Sequence, residues 1–127
     1  QAGIFNLLEI GRVYEQIMES DQAGFYYERA YQNKEERSDF YFAGLCKKER
    51  KLDKAVEIWQ GMNDLHSAIE LAKYHEKNKV YNKAMSYLKK AEVLLFMSEN
   101  CTIKKIEDIK KRIIRIEEKQ AKQENAE

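Results

Sequence analysis

No proline occurs in the 127 residues, and glycine occurs only five times. These residues punctuate strands and tight β-turns, and Asn-Gly and Pro-Gly pairs are missing too. Their scarcity predicts an all-α chain. Long apolar runs are also absent. The longest uninterrupted one, Val93-Leu94-Leu95-Phe96-Met97, is far short of the ~20 residues that cross a bilayer, so no membrane partner is expected. No secretion-signal pattern precedes the first helical segment. Charge of one sign is lacking, because 23 basic residues face 22 acidic ones. A net charge of +1 excludes bulk attraction to a polyanion and leaves only local clusters to argue from. The two cysteines, Cys46 and Cys101, form no CxxC and have no companion histidine spacing. They read as reduced thiols of a cytoplasmic protein. Gln1 opens in mid-pattern without an initiator methionine, which reads as a piece of a longer protein.

What is present is helical periodicity. Ile4, Leu7, Leu8, Ile10, Tyr14 and Ile17 recur three and four apart, predicting a helix over 4–18. Ser20-Asp21 then offers an N-cap for a helix over 21–33. Further helices are expected from Ser38 to near Arg50 and over 52–62, 64–78 and 81–97, with Asp64 as an N-cap. A last one is expected over 102–122, starting at Thr102. Short loops make the first six helices three antiparallel hairpins, about 4–33, 36–62 and 64–97. Residues 123–127 are expected to fray, and 1–122 to form one domain.

The hairpins repeat. A small residue on the first helix precedes an alanine on the second by twelve positions: Gly11 and Ala23, Ala43 and Ala55, Ala72 and Ala84. Helices crossing closely need small side chains at the contact, with large ones such as Tyr14, Tyr27 and Trp59 around it. Leu7-x2-Ile10-Gly11-x2-Tyr14 followed by Ala23-x3-Tyr27 resembles the tetratricopeptide repeat, W-x2-L-G-x2-Y…A-x3-F…P. The second and third hairpins are more degenerate, with Cys46 and His75 at the tyrosine position. The hairpins also follow at 32 and 29 residues, short of ~34. The resemblance implies an α-α superhelix of three hairpins with a capping helix. A narrower resemblance rests on Lys54-Ala55, Ile58-Trp59 and Glu70-Leu71-Ala72-Lys73-Tyr74. These are similar to the helical tail of bacterial ribonuclease-H-like exonuclease proteins, which implies a nuclease-like region upstream.

No catalytic set stands out, and no metal or cofactor is expected. His75-Glu76 begins an HExxH pattern, but Lys79 occupies the second histidine position. His66 is nine residues earlier, half a turn out of phase on one helix. His75 is expected to fill a packing slot and Glu76 to face water. Tyr27 and Phe42 are expected in the core.

In tetratricopeptide proteins, partners lie in the groove lined by the first helix of each hairpin. Carrying those positions over gives Phe5, Leu8, Arg12, Glu15 and Gln16, then Arg37, Phe40, Gly44, Lys47 and Lys48, then His66, Ile69, Lys73, Glu76 and Lys77. Six of these are basic and two acidic. The groove is therefore expected to take an acidic protein or peptide segment through Arg12, Arg37, Phe40, Lys47, Lys48, Lys73 and Lys77. An ordinary solvated lysine-rich face would show the same residues. Nucleic acid is the second candidate ligand, in an accessory domain of an exonuclease protein. Leu8, Tyr41 and Glu70 stand where a carboxylate clamp would need polar or basic residues, so that binding mode is not expected. Ile106, Ile109, Ile113 and Ile116 form a 3-4-3 seam, read first as a cap on the last hairpin and second as a homodimer seam.

Overall fold

A computed structural model describes residues 6–126. Ile4 and Phe5, expected in the first helix and at its groove position, lie outside them. Among the described residues there are seven helices and no strand. They are α1 (Leu7–Gln16), α2 (Ser20–Gln32), α3 (Ser38–Lys48), α4 (Leu52–Gly61), α5 (Leu65–Lys77), α6 (Tyr81–Phe96) and α7 (Ile103–Ala126). None is long and apolar enough to cross a membrane. The chain divides into two compact units, Gln1–Ile58 and Trp59–Glu127.

The turns explain how helices form and stop without glycine. After α1, Met18 adopts φ 65°, its N–H donates to the Glu15 carbonyl at 3.1 Å, and Glu19 N–H reaches back to Tyr14 at 2.9 Å. This is a Schellman closure, which satisfies carbonyls left open at the helix end. It recurs after α2 at Lys34, after α3 at Arg50 and after α5 at Lys79. Three of these residues stand seven after the small residue of their hairpin: Met18 after Gly11, Arg50 after Ala43 and Lys79 after Ala72. These three turns thus share one offset from the small residue that precedes them. The closure overrides the expected cap of α2. Ser20 is already helical, and Glu19 at the N-cap makes no side-chain cap bond, while its N–H closes the preceding turn on Tyr14.

Elsewhere side chains cap as expected. Asp64 and Ser67 form a reciprocal capping box at the start of α5, at 2.9 and 3.3 Å. Thr102 Oγ1 accepts from Lys105 N–H at 3.2 Å before α7. At α1, Asn6 accepts from Glu9 N–H, and the Glu35 carboxylate accepts from Leu8 N–H at 3.0 Å, 27 residues away. That long-range bond ties the α2–α3 loop to the first helix.

In the first unit Ala23, Tyr27 and Ala30 are fully buried and Phe42 nearly so. Gly11 faces the Tyr27 ring rather than chiefly Ala23. A Cβ there would come within 2.5 Å of Tyr27 Cδ1. The glycine therefore makes room for an aromatic face and not only for a backbone. In the second unit Ala72, Ala84, Leu88 and Ile116 form one buried cluster, and Ala68, Ala91, Leu95 and Ile109 another. Helix α7 thus covers the third hairpin with Ile109 and Ile116, while Ile106 and Ile113 pack half-buried beside them. The isoleucine seam is occupied within the chain, as the cap reading expects. Its helix runs to Ala126, beyond the expected end at 122. The final residues Gln, Ala, Lys and Glu are good helix formers, and Gln123 donates to the Lys79 carbonyl at 3.4 Å.

Candidate basic and aromatic site

The residues predicted to line a groove fall into two groups. Arg12, Arg37, Phe40, Lys47 and Lys48 belong to the first unit, and Lys73 and Lys77 to the second. In the first unit, Tyr41 of α3 is the hub. The Arg12 guanidinium from α1 lies 4.8 Å from its ring centroid and that of Arg37 lies 5.6 Å from it. Arg37 also covers Phe40 at 5.2 Å, and Phe40 meets Tyr41 edge-on with centroids 5.2 Å apart. Tyr27 approaches from below at 6.1 Å.

The local structure explains the convergence. Phe40 and Tyr41 are adjacent in the first turn of α3, so they cannot share one face. Tyr41 turns toward α1 and Tyr27, whereas Phe40 stays half-buried at the rim. Arg37 reaches both rings because it precedes α3 in the left-handed region, with φ 67° and ψ 4°. A non-glycine residue there carries backbone strain of about 1 kcal/mol.

Beside this cluster lies an ion pair the sequence reading did not assign. Glu15 accepts from the Tyr27 hydroxyl at 2.6 Å and from Lys48 Nζ at 2.8 Å. Burial pushes the Glu15 carboxyl up, but the bonds from Lys48 and Tyr27 outweigh it and hold it below the ordinary carboxylate value. The Tyr27 hydroxyl is pushed well up, first by burial and then by its bond to Glu15. Lys48 thus reaches from α3 to Glu15 on α1, while its side chain stays 71% exposed.

The second unit requires a correction. Glu76 does not face water. Its side chain is only 12% exposed and accepts from Arg115 Nε and Nη2 at 3.0 and 3.1 Å and from Lys119 Nζ at 2.7 Å. The bond from Arg115 comes first in holding its carboxyl below the ordinary value, with Lys119 adding to it against burial. Two cations on α7 supply what the sequence reading took as solvent. His75 does fill a packing slot. It is buried and stacks on Tyr87, with centroids 5.5 Å apart and planes 3° off parallel. Burial, then the charge of Lys83, push its imidazole below the ordinary value. Lys73 and Lys77 stay exposed on α5.

The first unit also contains a cavity of about 460 Å³ between α2, α3 and the start of α4. Phe25, Phe42, Leu45 and Cys46 line it with Glu28 and Lys54, and none of the predicted groove residues does. Cys46 is buried there, and burial pushes its thiol up, which makes it a poor nucleophile. No three His, Cys, Asp or Glu side chains come together among the described residues in a way that could hold a metal ion.

Two signals could have located the ion pairs beforehand. Glu15 and Glu76 each stand four residues after the small residue of their hairpin, one turn along on the same face. Each also has a basic residue available on a later helix. No protein-family model matches the chain, and no curated protein matches it.

Proposed function

We propose that the chain is a non-catalytic helical-repeat module, three tetratricopeptide-like hairpins with a capping helix. In this reading it holds an acidic protein or peptide segment against Arg12, Arg37, Phe40 and Tyr41. The observation that carries the reading is the convergence of two exposed guanidiniums on one tyrosine ring. A guanidinium resting on a ring face keeps its N–H edges available, and those edges match a carboxylate bidentately. Neither arginine has a carboxylate partner among the described residues, in contrast to Lys48. Phe40 adds apolar surface for a side chain flanking the acid. The strain at Arg37 supports the reading, because strained residues gather where a side chain must be aimed. The free thiols of Cys46 and Cys101 suit a reducing, cytoplasmic setting.

The test is fluorescence anisotropy with a labelled peptide of alternating glutamate and leucine, titrated into the chain and into an Arg12→Glu, Arg37→Glu double variant. Binding should weaken at least tenfold in the variant at unchanged helicity. Equal binding by both proteins overturns the proposal. A labelled oligouridylate run in parallel covers the nucleic-acid alternative. Tighter binding of that probe, falling steeply between 50 and 200 mM salt, would make that alternative the better reading.

A further inference from the structure

The cavity of the first unit is framed by two facing stripes. On α2, Asp21, Gly24, Phe25 and Glu28 follow the three-four spacing of one helix face. On α3, Phe42, Leu45 and Cys46 do the same, continued by Glu49 at the helix end. Gly24 leaves the middle open, because it has no side chain and even a Cβ there would make only ordinary contact with Leu45 Cδ2, at 3.7 Å. Gly24 faces Leu45 and Tyr27 faces Tyr41, so the two helices run antiparallel. Asp21 therefore stands at the end that Glu49 closes. Glu28 stands at the other end, where Lys54 Nζ lies 5.9 Å from the Phe42 ring centroid.

The floor is apolar and the mouth is charged. Phe42, Leu45 and Cys46 are buried, and the free Cys46 thiol, in a residue only 4% exposed, makes no hydrogen bond among the described residues. Burial leads in pushing that thiol up, Lys51 and Lys54 oppose it, and Glu49 and Glu28 add to it, so four charges bear on one atom of the floor. The two lysines are already answered. Lys51 Nζ lies 3.6 Å from Glu49, and Lys54 Nζ lies 3.3 Å from Glu57. Asp21 and Glu28 are exposed and form no ion pair among the described residues. They stand two turns apart on α2, roughly 10 Å along its axis.

We propose that this cavity binds a linear aliphatic diamine or polyamine, laid along α2 with one ammonium at Asp21 and another at Glu28. Its methylenes lie over Gly24 and against Phe42, Leu45 and Cys46. The cavity volume of about 460 Å³ is that of a small-molecule site. Three features select the class of ligand. Two unanswered carboxylates call for two positive charges. Their separation calls for a chain that reaches both, which a single compact cation does not. The apolar floor, whose thiol is only a weak hydrogen-bonding group, suits methylenes and penalises a ligand that must keep its polar groups hydrated. The site shares no residue with the arginine cluster.

The probe is the terminal diamine of heptane, whose extended nitrogens stand about two helical turns apart. It is titrated into the isotope-labelled full chain and followed by amide chemical shifts in nuclear magnetic resonance. The shifts should saturate and be largest at cavity residues such as Gly24 and Cys46. Heptylamine, with one charge, and the terminal diamine of propane, too short to reach both carboxylates, should each bind at least fivefold more weakly. An Asp21→Asn, Glu28→Gln variant should bind the heptane diamine at least tenfold more weakly. Gly24→Leu keeps both carboxylates but fills the space between them, and should weaken binding to the same extent. Circular dichroism checks that both variants stay folded, and the double variant, altered only at exposed side chains, decides the matter alone if Gly24→Leu does not fold. Absence of saturation, equal binding of the three amines, binding indifferent to the double variant, or largest shifts outside the cavity overturns the proposal.

Discussion

Glu15 and Glu76 occupy the same register, four residues after Gly11 and Ala72, and each carboxylate ties its helix to one further along the chain. Glu15 on α1 holds Lys48 of α3, and Glu76 on α5 holds Arg115 and Lys119 of α7. The two ties differ in partner count and exposure. Lys48 is 71% exposed, so that pair is screened and worth little. Glu76 is shielded and receives three charged bonds, so removing its charge should cost more. Glu76→Gln should lower unfolding stability by about 1 kcal/mol, and Lys48→Gln by less than about 0.5. Urea midpoints at neutral pH would measure both. Equal losses would mean that shielding at Glu76 adds nothing.

The depressed pKa values give the pH response a sign. His75 is pushed below 6.5 in the folded state, so the unfolded chain binds its proton first. Stability is complete above 6.5 and falls as pH drops from there through the folded value. The depressed carboxyls of Glu15 and Glu76 act the same way lower down, beginning near 4.5. His75→Tyr keeps a ring against Tyr87 and removes the first step. Its stability should fall less between pH 7 and 5 than the parent's, as read from thermal midpoints across that range. Parallel curves would show that His75 titrates no differently in the folded chain.

The helices, and the pairing of α1 with α2 and of α5 with α6, were legible in the sequence because periodicity and short loops are local. The turn chemistry was not legible, because Met18, Lys34, Arg50 and Lys79 adopt a conformation that sequence logic reserves for glycine. The environment of Glu76 was not legible either, because its partners lie 39 and 43 residues away on a helix read only for its isoleucines. Of the candidate site, the residue types were foreseeable, but the hub was not. Tyr41 entered the sequence reading as a reason against one binding mode, and the structure puts two arginines on it.

Ile116 and Ile114 sit two residues apart on α7 with opposite environments, fully buried and 54% exposed. Ile116→Ala should cost about 2–4 kcal/mol, because the packing among Ala72, Ala84 and Leu88 cannot close the gap. Ile114→Ala should stay within about 0.5 kcal/mol. Denaturant unfolding of the two variants compares them directly. A large loss at Ile114 would mean that its exposed face is covered in solution.

Three glycine substitutions should differ in sign. Gly44 has ordinary φ and open space around a Cβ, so Gly44→Ala should stabilise by about 0.5–1 kcal/mol. Gly11→Ala should destabilise by about 1–3 kcal/mol, because its methyl would drive into the Tyr27 ring. Lys79→Gly should stabilise by about 0.5 kcal/mol, relieving a φ of 62° at the end of α5. Melting temperatures of the three variants suffice, and a stabilised Gly11→Ala would show that Tyr27 moves aside readily.

Arg37 separates stability from binding. Arg37→Gly removes a side chain held in the left-handed region, so the fold should gain about 0.5 kcal/mol. The same change takes one of the two guanidiniums off Tyr41. If the arginine cluster holds an acidic segment, the variant should melt higher and bind the glutamate peptide more weakly. Arg37→Lys, which keeps the charge but loses the planar edge, should bind with intermediate strength. A purely structural role predicts the reverse pairing. Removing Arg37 would then lower the melting temperature through lost packing on Phe40 and leave peptide binding unchanged.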